Sequence, residues 1–434
     1  MGDPPLIHWS EDGEPRSARW QSERGATPPG KVAIVDDRIS ADEAYGLACQ
    51  GIGLLWNGDF QNARQMMTAL AKRADREPRK TAKGTKESAP GAVKSNAEAF
   101  NLERQARAQR ARTLGMLLIR VDADYAIALR RAPDLHEACV EAYGPPSDPF
   151  VVSLRELLGV VGAHEWRRRG IPLPAVGGSI HPHYGVFTPI RSEYVDLVAK
   201  APMPAALSET STAFDIGTGT GVLAAVLARR GAQRVVATDV DPRALACARE
   251  NIERLGLAGQ VSVVHGDLFP EGHAALIVCN PPWVPARPSS PLEHGIYDPE
   301  SRMLLGFLRG LSAHLAPGGE GWLLLSDLAE HLGLRSRAQL LGWIEEAGLE
   351  VLDRIDVRPK HPKVSDASDP LHRARKAEVT SLWRLASAAA TQVGERGQLN
   401  KNVASLESSH ERRSFLSPRN ASGASRRLPV ARVW

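Results

Sequence analysis

The run Thr212-Ala213-Phe214-Asp215-Ile216 passes without a break into Gly217-Thr218-Gly219-Thr220-Gly221, and from there into a helical pattern over residues 222–230. Alternating glycines let the backbone turn sharply and let a ligand lie against it without interference from Cβ atoms. A strand, a glycine turn and a helix in immediate succession open a βαβ unit, and the sequence that follows continues the pattern. Short apolar runs at 234–238, 261–264, 274–279 and 321–325 alternate with helical segments, and runs at 349–357 and 379–385 read as closing strands. Such alternation predicts an α/β fold around a mostly parallel sheet. One helix is legible in detail: Asp241 stands at the N-cap, Pro242 at the first helical position, and Leu245, Ala248, Ile252 and Leu255 share a face.

The rest of the chain divides around this region. Residues 1–39 are rich in Pro, Gly and charge, which predicts an extended or disordered N-terminus. Residues 40–176 carry helical periodicity, with a break at Asn57-Gly58-Asp59, and predict a mainly helical recognition domain. Within it, residues from about 76 to 95 have almost nothing to bury and read as a disordered loop. Residues 177–387 hold the sheet, and 388–434 read as a disordered basic tail. Eight Arg or Lys against three Glu fall in residues 389–434, so the formal charge of +4 belongs to the tail and the body is near neutral. That balance argues against strong non-specific nucleic-acid binding by the folded core. Cys49, Cys139, Cys247 and Cys279 are scattered without a Cys-x-x-Cys pair, against both a disulfide framework and a zinc site. No run approaches the roughly 20 apolar residues of a membrane span, and the expected location is the cytoplasm.

Three strand ends describe a nucleoside pocket. Beside the glycine turn, the second run ends at Asp239, eighteen residues after Gly221, where a carboxylate can accept both ribose hydroxyls; Val240 follows it. The third ends at Asp267, placed to accept from an adenine amine, while the Leu268 backbone amide donates to the ring. The glycines are spaced G-x-G-x-G and not G-x-G-x-x-G, which points away from a dinucleotide. The fourth run ends in Asn280-Pro281-Pro282-Trp283. An amide or aryl amine nitrogen is a poor nucleophile because its lone pair is delocalised, so a site acting on it must hold it in place. The Asn280 side-chain oxygen and the Pro281 carbonyl can accept its two hydrogens; Pro282 stiffens the turn and Trp283 offers a flat face.

Over residues 180–387 this series resembles the class I S-adenosylmethionine-dependent methyltransferases. Within them it is similar to the small-domain type with an Asn-Pro-Pro-aromatic motif, found in release-factor glutamine and ribosomal RNA guanine methyltransferases. The resemblance implies a Rossmann-like sheet of seven strands, the last antiparallel, and S-adenosyl-L-methionine as cofactor. It implies methyl transfer to the side-chain amide of glutamine or the exocyclic amine of a base. The acceptor is then a protein or RNA, with a release factor or ribosomal component among the candidates, and neither metal nor membrane is required. By the same likeness Phe187, Thr188 and Arg191, in the stretch His183 through Arg191, close one wall of the donor pocket. Asp215, Gly217, Thr218, Gly219, Gly221, Asp239, Val240, Asp267 and Leu268 are expected to hold the donor with Asn280 at its edge. Asn280, Pro281, Pro282 and Trp283 are expected to hold the acceptor.

Other features read more plainly. Residues 25–31 match the start of a phosphate loop, but Val32 stands where a hydroxyl is needed and no strand is predicted before it. His181 and His183 lack a partner cluster for a metal, and Cys279 lies among apolar neighbours. Arg104, Arg107 and Arg110 recur at helical spacing and read as a solvated face, with an anionic partner as the alternative. The basic segment 358–376 lies between the last two strands and has the better claim to contact a substrate. A non-catalytic module that keeps the adenosine pocket is the rival functional class; intact Asn280 and Trp283 argue against it.

Overall fold

In a computed structural model, residues 4–76, 95–189, 192–209, 211–360, 366 and 369–388 are described. Arg191, nearly all of the loop expected at about 76–95, part of the basic segment 358–376 and the tail from 389 lie outside the described residues. Among the described residues no helix is long and apolar enough to cross a membrane.

The N-terminal half is built on a sheet, which corrects the expectation of a mainly helical domain behind a disordered leader. Its elements are β1 (Leu6–Glu11), β2 (Glu14–Gln21), β3 (Lys31–Val35), α1 (Ala41–Cys49), β4 (Ile52–Trp56), α2 (Phe60–Arg76), α3 (Asn96–Leu114), β5 (Leu117–Val121), α4 (His136–Tyr143), β6 (Phe150–Ser153) and α5 (Leu154–Arg169). The strands run in the order β1-β2-β6-β5-β4-β3. Two runs taken as helical, 52–56 and 117–121, are instead central strands buried along nearly their whole length. A short apolar run without alternation has no period of its own, so its sheet partners decide its conformation.

The leader is ordered by a tight hairpin. Asp12 and Gly13 both have positive φ, 53° and 84°, and Glu11 pairs with Glu14 across them. That geometry matches the right-handed twist of the two strands, and Asp-Gly is its commonest sequence. The hairpin then packs Ile7 and Trp20 against Leu55, Leu118 and Val151, and the Trp20 indole N–H donates to the Ala26 carbonyl at 2.7 Å. Trp20→Ala is accordingly expected to lower stability by about 3–5 kcal/mol in urea denaturation; a leader independent of the core would leave the midpoint unchanged.

A short ribbon, β7 (Ile171–Leu173) and β8 (Gly178–Ile180), and the helix α6 (Glu193–Lys200) lead into the second sheet. That sheet comprises β9 (Thr212–Ile216), α7 (Val222–Arg229), β10 (Arg234–Asp239), α8 (Pro242–Arg254), β11 (Val261–His265), β12 (Ala274–Cys279), α9 (Arg302–His314), β13 (Leu315–Ser326), α10 (Leu328–His331), α11 (Arg337–Glu346), β14 (Leu349–Val357), α12 (His372–Ala377) and β15 (Thr380–Ser387). Its order is β11-β10-β9-β12-β13-β15-β14, with β15 antiparallel to both neighbours and the other pairings parallel. This is the seven-stranded Rossmann-like sheet expected from the sequence. The order reverses between β9 and β12, so the crevice for a ligand opens at their carboxyl ends. Helix α7 is buried from Val222 through Ala228 on one face of the sheet, while Leu304, Phe307, Leu308 and Leu311 of α9 cover the other.

Candidate active site

Parallel pairing brings the predicted strand ends into one row. Ile216 is in register with Thr238 on one side and with Cys279 on the other, and Asp239 is in register with His265. The glycine turn, Asp239, the 266–268 turn and Asn280 therefore leave the sheet along one edge.

Within the glycine turn the backbone is left-handed at Gly217, Gly219 and Gly221. A Cβ at Gly217 would collide with the Met303 methyl, so Met303 of α9 rests on the turn. At Gly219 nothing lies within 4 Å of where a Cβ would stand, so that backbone faces open space. The turn is splinted from both ends. Thr218 Oγ1 and the Ala224 N–H both donate to Asp215 Oδ2, at 2.6 and 2.9 Å. The Gly219 N–H donates to Asp239 Oδ2 at 3.0 Å, and the other oxygen, Oδ1, accepts from the Asp241 N–H at 3.0 Å.

Asp215 is only 1% exposed. Burial pushes its carboxyl up to about 6, and Asp239 nearby adds to this against the two hydrogen bonds. The folded state thus keeps this proton to higher pH than the unfolded chain, whose ordinary value is 3.8. The associated stability is full below pH ~4 and is lost as pH rises to about 6, by about 3 kcal/mol at roughly 1.4 kcal/mol per unit. Asp215→Asn still accepts from Thr218 but does not titrate. In urea denaturation the stability of wild type relative to this variant is expected to fall by that amount between pH ~4 and ~7, and a constant difference would contradict the burial argument.

The end formed by Asp239 and the 266–268 turn, expected from the sequence to face adenosine, is more open. Burial raises the Asp239 carboxyl, offset by backbone donors including Asp241 and Gly219. Val240 is 54% exposed, unusual for a side chain of its kind, at the strand end beside the carboxylate. Asp267 is exposed and pairs with Arg302 at 3.4 Å, a geometry worth little in water. Leu268 has φ 74° and its carbonyl accepts from Thr238 Oγ1 at 2.6 Å, which ties the 266–268 turn to the end of β10.

Just past the end of β12 the Trp283 indole N–H donates to Asn280 Oδ1 at 2.9 Å. The indole has no acceptor, so the bond fixes which end of the Asn280 amide carries oxygen. One lone pair of that oxygen is used and one remains. Pro281 is buried and Pro282 half-buried between them. The Trp283 ring also borders the apolar clusters on both sides of the sheet, so it is a core aromatic and a polar contact at once.

Phe187 and Thr188 sit on a segment that spans both ends. Val186 packs on Ala244 and Cys247 of α8, while Phe187 packs so closely on Gly295 that a Cβ there would be 2.7 Å from its own. Thr188 Oγ1 donates to the Val186 carbonyl at 3.4 Å. His181 and His183 serve as struts: His181 Nδ1 lies 2.6 Å from the Arg167 carbonyl and His183 Nε2 lies 2.7 Å from Glu250. Burial holds the Cys279 thiol well above its ordinary range, as fits a packed side chain.

Sequence reasoning missed Asp298 and Phe100, which shape the loop after Trp283. Asp298, 5% exposed, accepts from the Met303 and Leu304 N–H groups at 3.0 and 3.1 Å and donates its own N–H to the Val284 carbonyl at 2.9 Å. It therefore anchors the loop after Trp283 to the helix that carries Met303. The Asp298-Pro299 pair ahead of an apolar helix was the available signal. Phe100 and Arg104 of α3 approach from the first sheet: Phe100 meets the Tyr297 ring edge-on at 6.5 Å, and the Arg104 guanidinium lies 4.5 Å from the same ring. The Arg row on α3 is thus largely committed, with Arg104 also donating to the Arg287 carbonyl, Arg107 paired with Glu103, and Arg110 with Asp75 at 2.7 Å.

Residues 179–330 match the model of the methyltransferase small domain. A ribosomal protein L11 methyltransferase from Pelotomaculum thermopropionicum is 55% identical over 71 residues, which is 16% of this chain and 23% of that relative. A release factor glutamine methyltransferase from Cereibacter sphaeroides is 37% identical over 171 residues, 36% of this chain and 58% of the relative. Among solved structures, an S-adenosylmethionine-dependent methyltransferase from Thiobacillus denitrificans with bound S-adenosyl-L-homocysteine is 16% identical, with a TM-score of 0.32, covering 46% of this chain and 92% of that one. The chain spans from 23% to 58% of the length of the two curated relatives. Residues 179–330, which include β9 through β13, thus match a methyltransferase domain, in keeping with the class I S-adenosylmethionine-dependent enzymes.

Proposed function

We propose that this chain uses its methyltransferase small domain to methylate a planar amide nitrogen on a protein, with a glutamine side chain of a ribosome-associated protein as the acceptor. The observation that carries the reading is the Asn280 carbonyl oxygen, oriented by the Trp283 indole at 2.9 Å, on the strand next to the glycine turn. A side-chain amide oxygen set in this way accepts one hydrogen of an NH₂ group and leaves the nitrogen facing the donor side. The curated relatives whose names specify release factor glutamine or ribosomal protein L11 support a protein acceptor.

The residues present fit S-adenosylmethionine. The open space at Gly219 admits a ligand against the backbone, Asp239 offers carboxylate oxygens for ribose hydroxyls, and Val240 an apolar surface for a base. When bound, the cofactor supplies an electrophilic methyl group on a positively charged sulfur, a leaving group in its own right. The chain's task is then alignment: Asn280 and the Pro281 carbonyl hold the two amide hydrogens, and Trp283 limits rotation of the flat group. Each such hydrogen bond is worth about 1 kcal/mol net, whereas correct positioning can supply roughly 7–11 kcal/mol of the barrier.

Incubation with methyl-labelled donor, ribosomes, bare RNA and release factors tests the reading. Label is expected on a glutamine amide of a protein fraction, from which strong acid hydrolysis releases labelled methylamine. Label that survives protease but not ribonuclease would assign the acceptor to a nucleobase amine, and no transfer to any fraction would favour a binding module.

A further inference from the structure

Helix α3 opens with a full capping box: Ser95 Oγ accepts from the Glu98 N–H at 3.2 Å, and the Glu98 carboxylate accepts from the Ser95 N–H at 2.9 Å. Its middle, Glu103-Arg104-Gln105-Ala106-Arg107-Ala108-Gln109-Arg110, shows no apolar stripe, and the residues it buries are Phe100, Thr113 and Leu114. A helix of this kind gains little by lying along one core, and it suits a bridge held at both ends. Leu114 belongs to the core of the first sheet. Phe100, about 21 Å away along the axis at 1.5 Å per residue, belongs to the cluster of Val284, Leu332, Leu371 and Ala374 against which Trp283 packs. The helix is therefore a strut between the first sheet and the loop that follows Trp283.

That loop has two limbs, joined where the Val284 N–H donates to the Ile296 carbonyl at 3.2 Å and the Asp298 N–H donates to the Val284 carbonyl at 2.9 Å. Val284 directly follows Trp283, so whatever holds the limbs together also sets the backbone from which the indole projects. Arg104 touches both. Its guanidinium donates to the Arg287 carbonyl on the first limb and lies 4.5 Å from the Tyr297 ring centre on the second, with the Phe100 ring centre at 5.8 Å. At the start of the helix Asn96 Nδ2 donates to the His331 carbonyl at 2.7 Å. Among the described residues Arg104 has no carboxylate partner, unlike Arg107 and Arg110 on the same helix. A half-buried cation set between a carbonyl and two aromatic rings is a stronger tie than an exposed ion pair. We propose that Arg104 is a positioning residue for methyl transfer: at the end of the α3 strut it locks the two limbs of the 284–298 loop, and through them holds the Trp283 indole in the orientation that bonds Asn280. That this loop serves the acceptor rests on the function proposed above; the locking itself does not.

Hydrogen–deuterium exchange of the full chain, with the indole N–H resonances recorded on the same variants, tests the locking without any acceptor. The Trp283 resonance is the one lost in Trp283→Phe. In Arg104→Met the amides of 284–298 are expected to exchange roughly tenfold faster, as for the loss of one such contact, and the Trp283 indole proton to move upfield as its bond to Asn280 weakens. The glycine turn at 217–221 and the first sheet should exchange as in wild type, because Asp215 and Asp239 hold that turn through bonds that involve neither α3 nor the loop. Arg104→Lys keeps a cation against the rings and should fall between wild type and Arg104→Met, whereas Arg110→Ala, on the same helix, should match wild type at Trp283. Unchanged loop exchange with an unmoved Trp283 resonance in Arg104→Met would overturn the proposal. So would faster exchange spread evenly over both sheets, the mark of an arginine that only stabilises the fold. Since no acceptor is present, an absence of methyl transfer in the labelling experiment would count against the function proposed above and leave this measurement standing.

Discussion

Asn280→Ala is expected to reduce methyl transfer by roughly 10²-fold or more while leaving affinity for S-adenosylhomocysteine within about threefold. The asymmetry follows from where the side chain stands. The glycine turn is held by Asp215, Thr218 and Asp239 through bonds that do not involve Asn280. What the substitution removes is the partner of the Trp283 indole and, in the function proposed above, the oxygen that holds the acceptor amide. Trp283→Phe keeps an aromatic face but loses that indole bond and part of the packing against the neighbouring apolar clusters, and it should give a milder loss than Asn280→Ala if orientation is the main contribution. Single-turnover transfer and equilibrium binding, measured on the same preparations, separate the two quantities. Equal loss of both in Asn280→Ala would place the acceptor elsewhere.

Asp239→Ala is expected to act in the opposite way, weakening donor binding about a hundredfold before any chemistry is measured. Hydrogen bonds to a charged carboxylate contribute about 1.5–3 kcal/mol each, and about 1.4 kcal/mol is tenfold in affinity. The carboxylate also accepts from the Gly219 and Asp241 N–H groups, so its loss loosens the turn that the donor lies against. Asp239→Asn, which keeps one acceptor oxygen, should fall between wild type and alanine. Titration calorimetry on all three orders them; unaltered affinity in the alanine variant would remove Asp239 from the donor site.

The catalytic sheet was legible because each of its signals is local. The helix α8 shows this in miniature: Asp241 caps it by accepting from the Arg243 N–H at 2.9 Å, and Leu245, Ala248 and Ile252 are buried as their spacing predicted. The strand limits at Thr212–Ile216, Ala274–Cys279 and Leu349–Val357 likewise coincide with the apolar runs. The first sheet was hidden because its signals are long-range. Val151 and Val152 join Trp20 and Gln21 across more than a hundred residues of sequence, and nothing near either strand announces the partner. Asp12-Gly13 is itself a hairpin signal, but the charge and proline around it give residues 1–39 the look of an extended leader. At the site, residue types and strand ends were visible in the sequence, but the bond between Trp283 and Asn280 was not. A tryptophan three residues after an asparagine can face many ways, and the two prolines between them select one.

Isothermal titration calorimetry of the full chain with S-adenosylhomocysteine tests the central claim most directly, because every role assigned to the sheet edge presupposes a nucleoside lying across the Gly217 to Gly221 turn. One saturable site with heat that Asp239→Ala largely abolishes is predicted. A folded wild-type protein that gives no heat, or that binds equally well without the Asp239 carboxylate, would contradict the account.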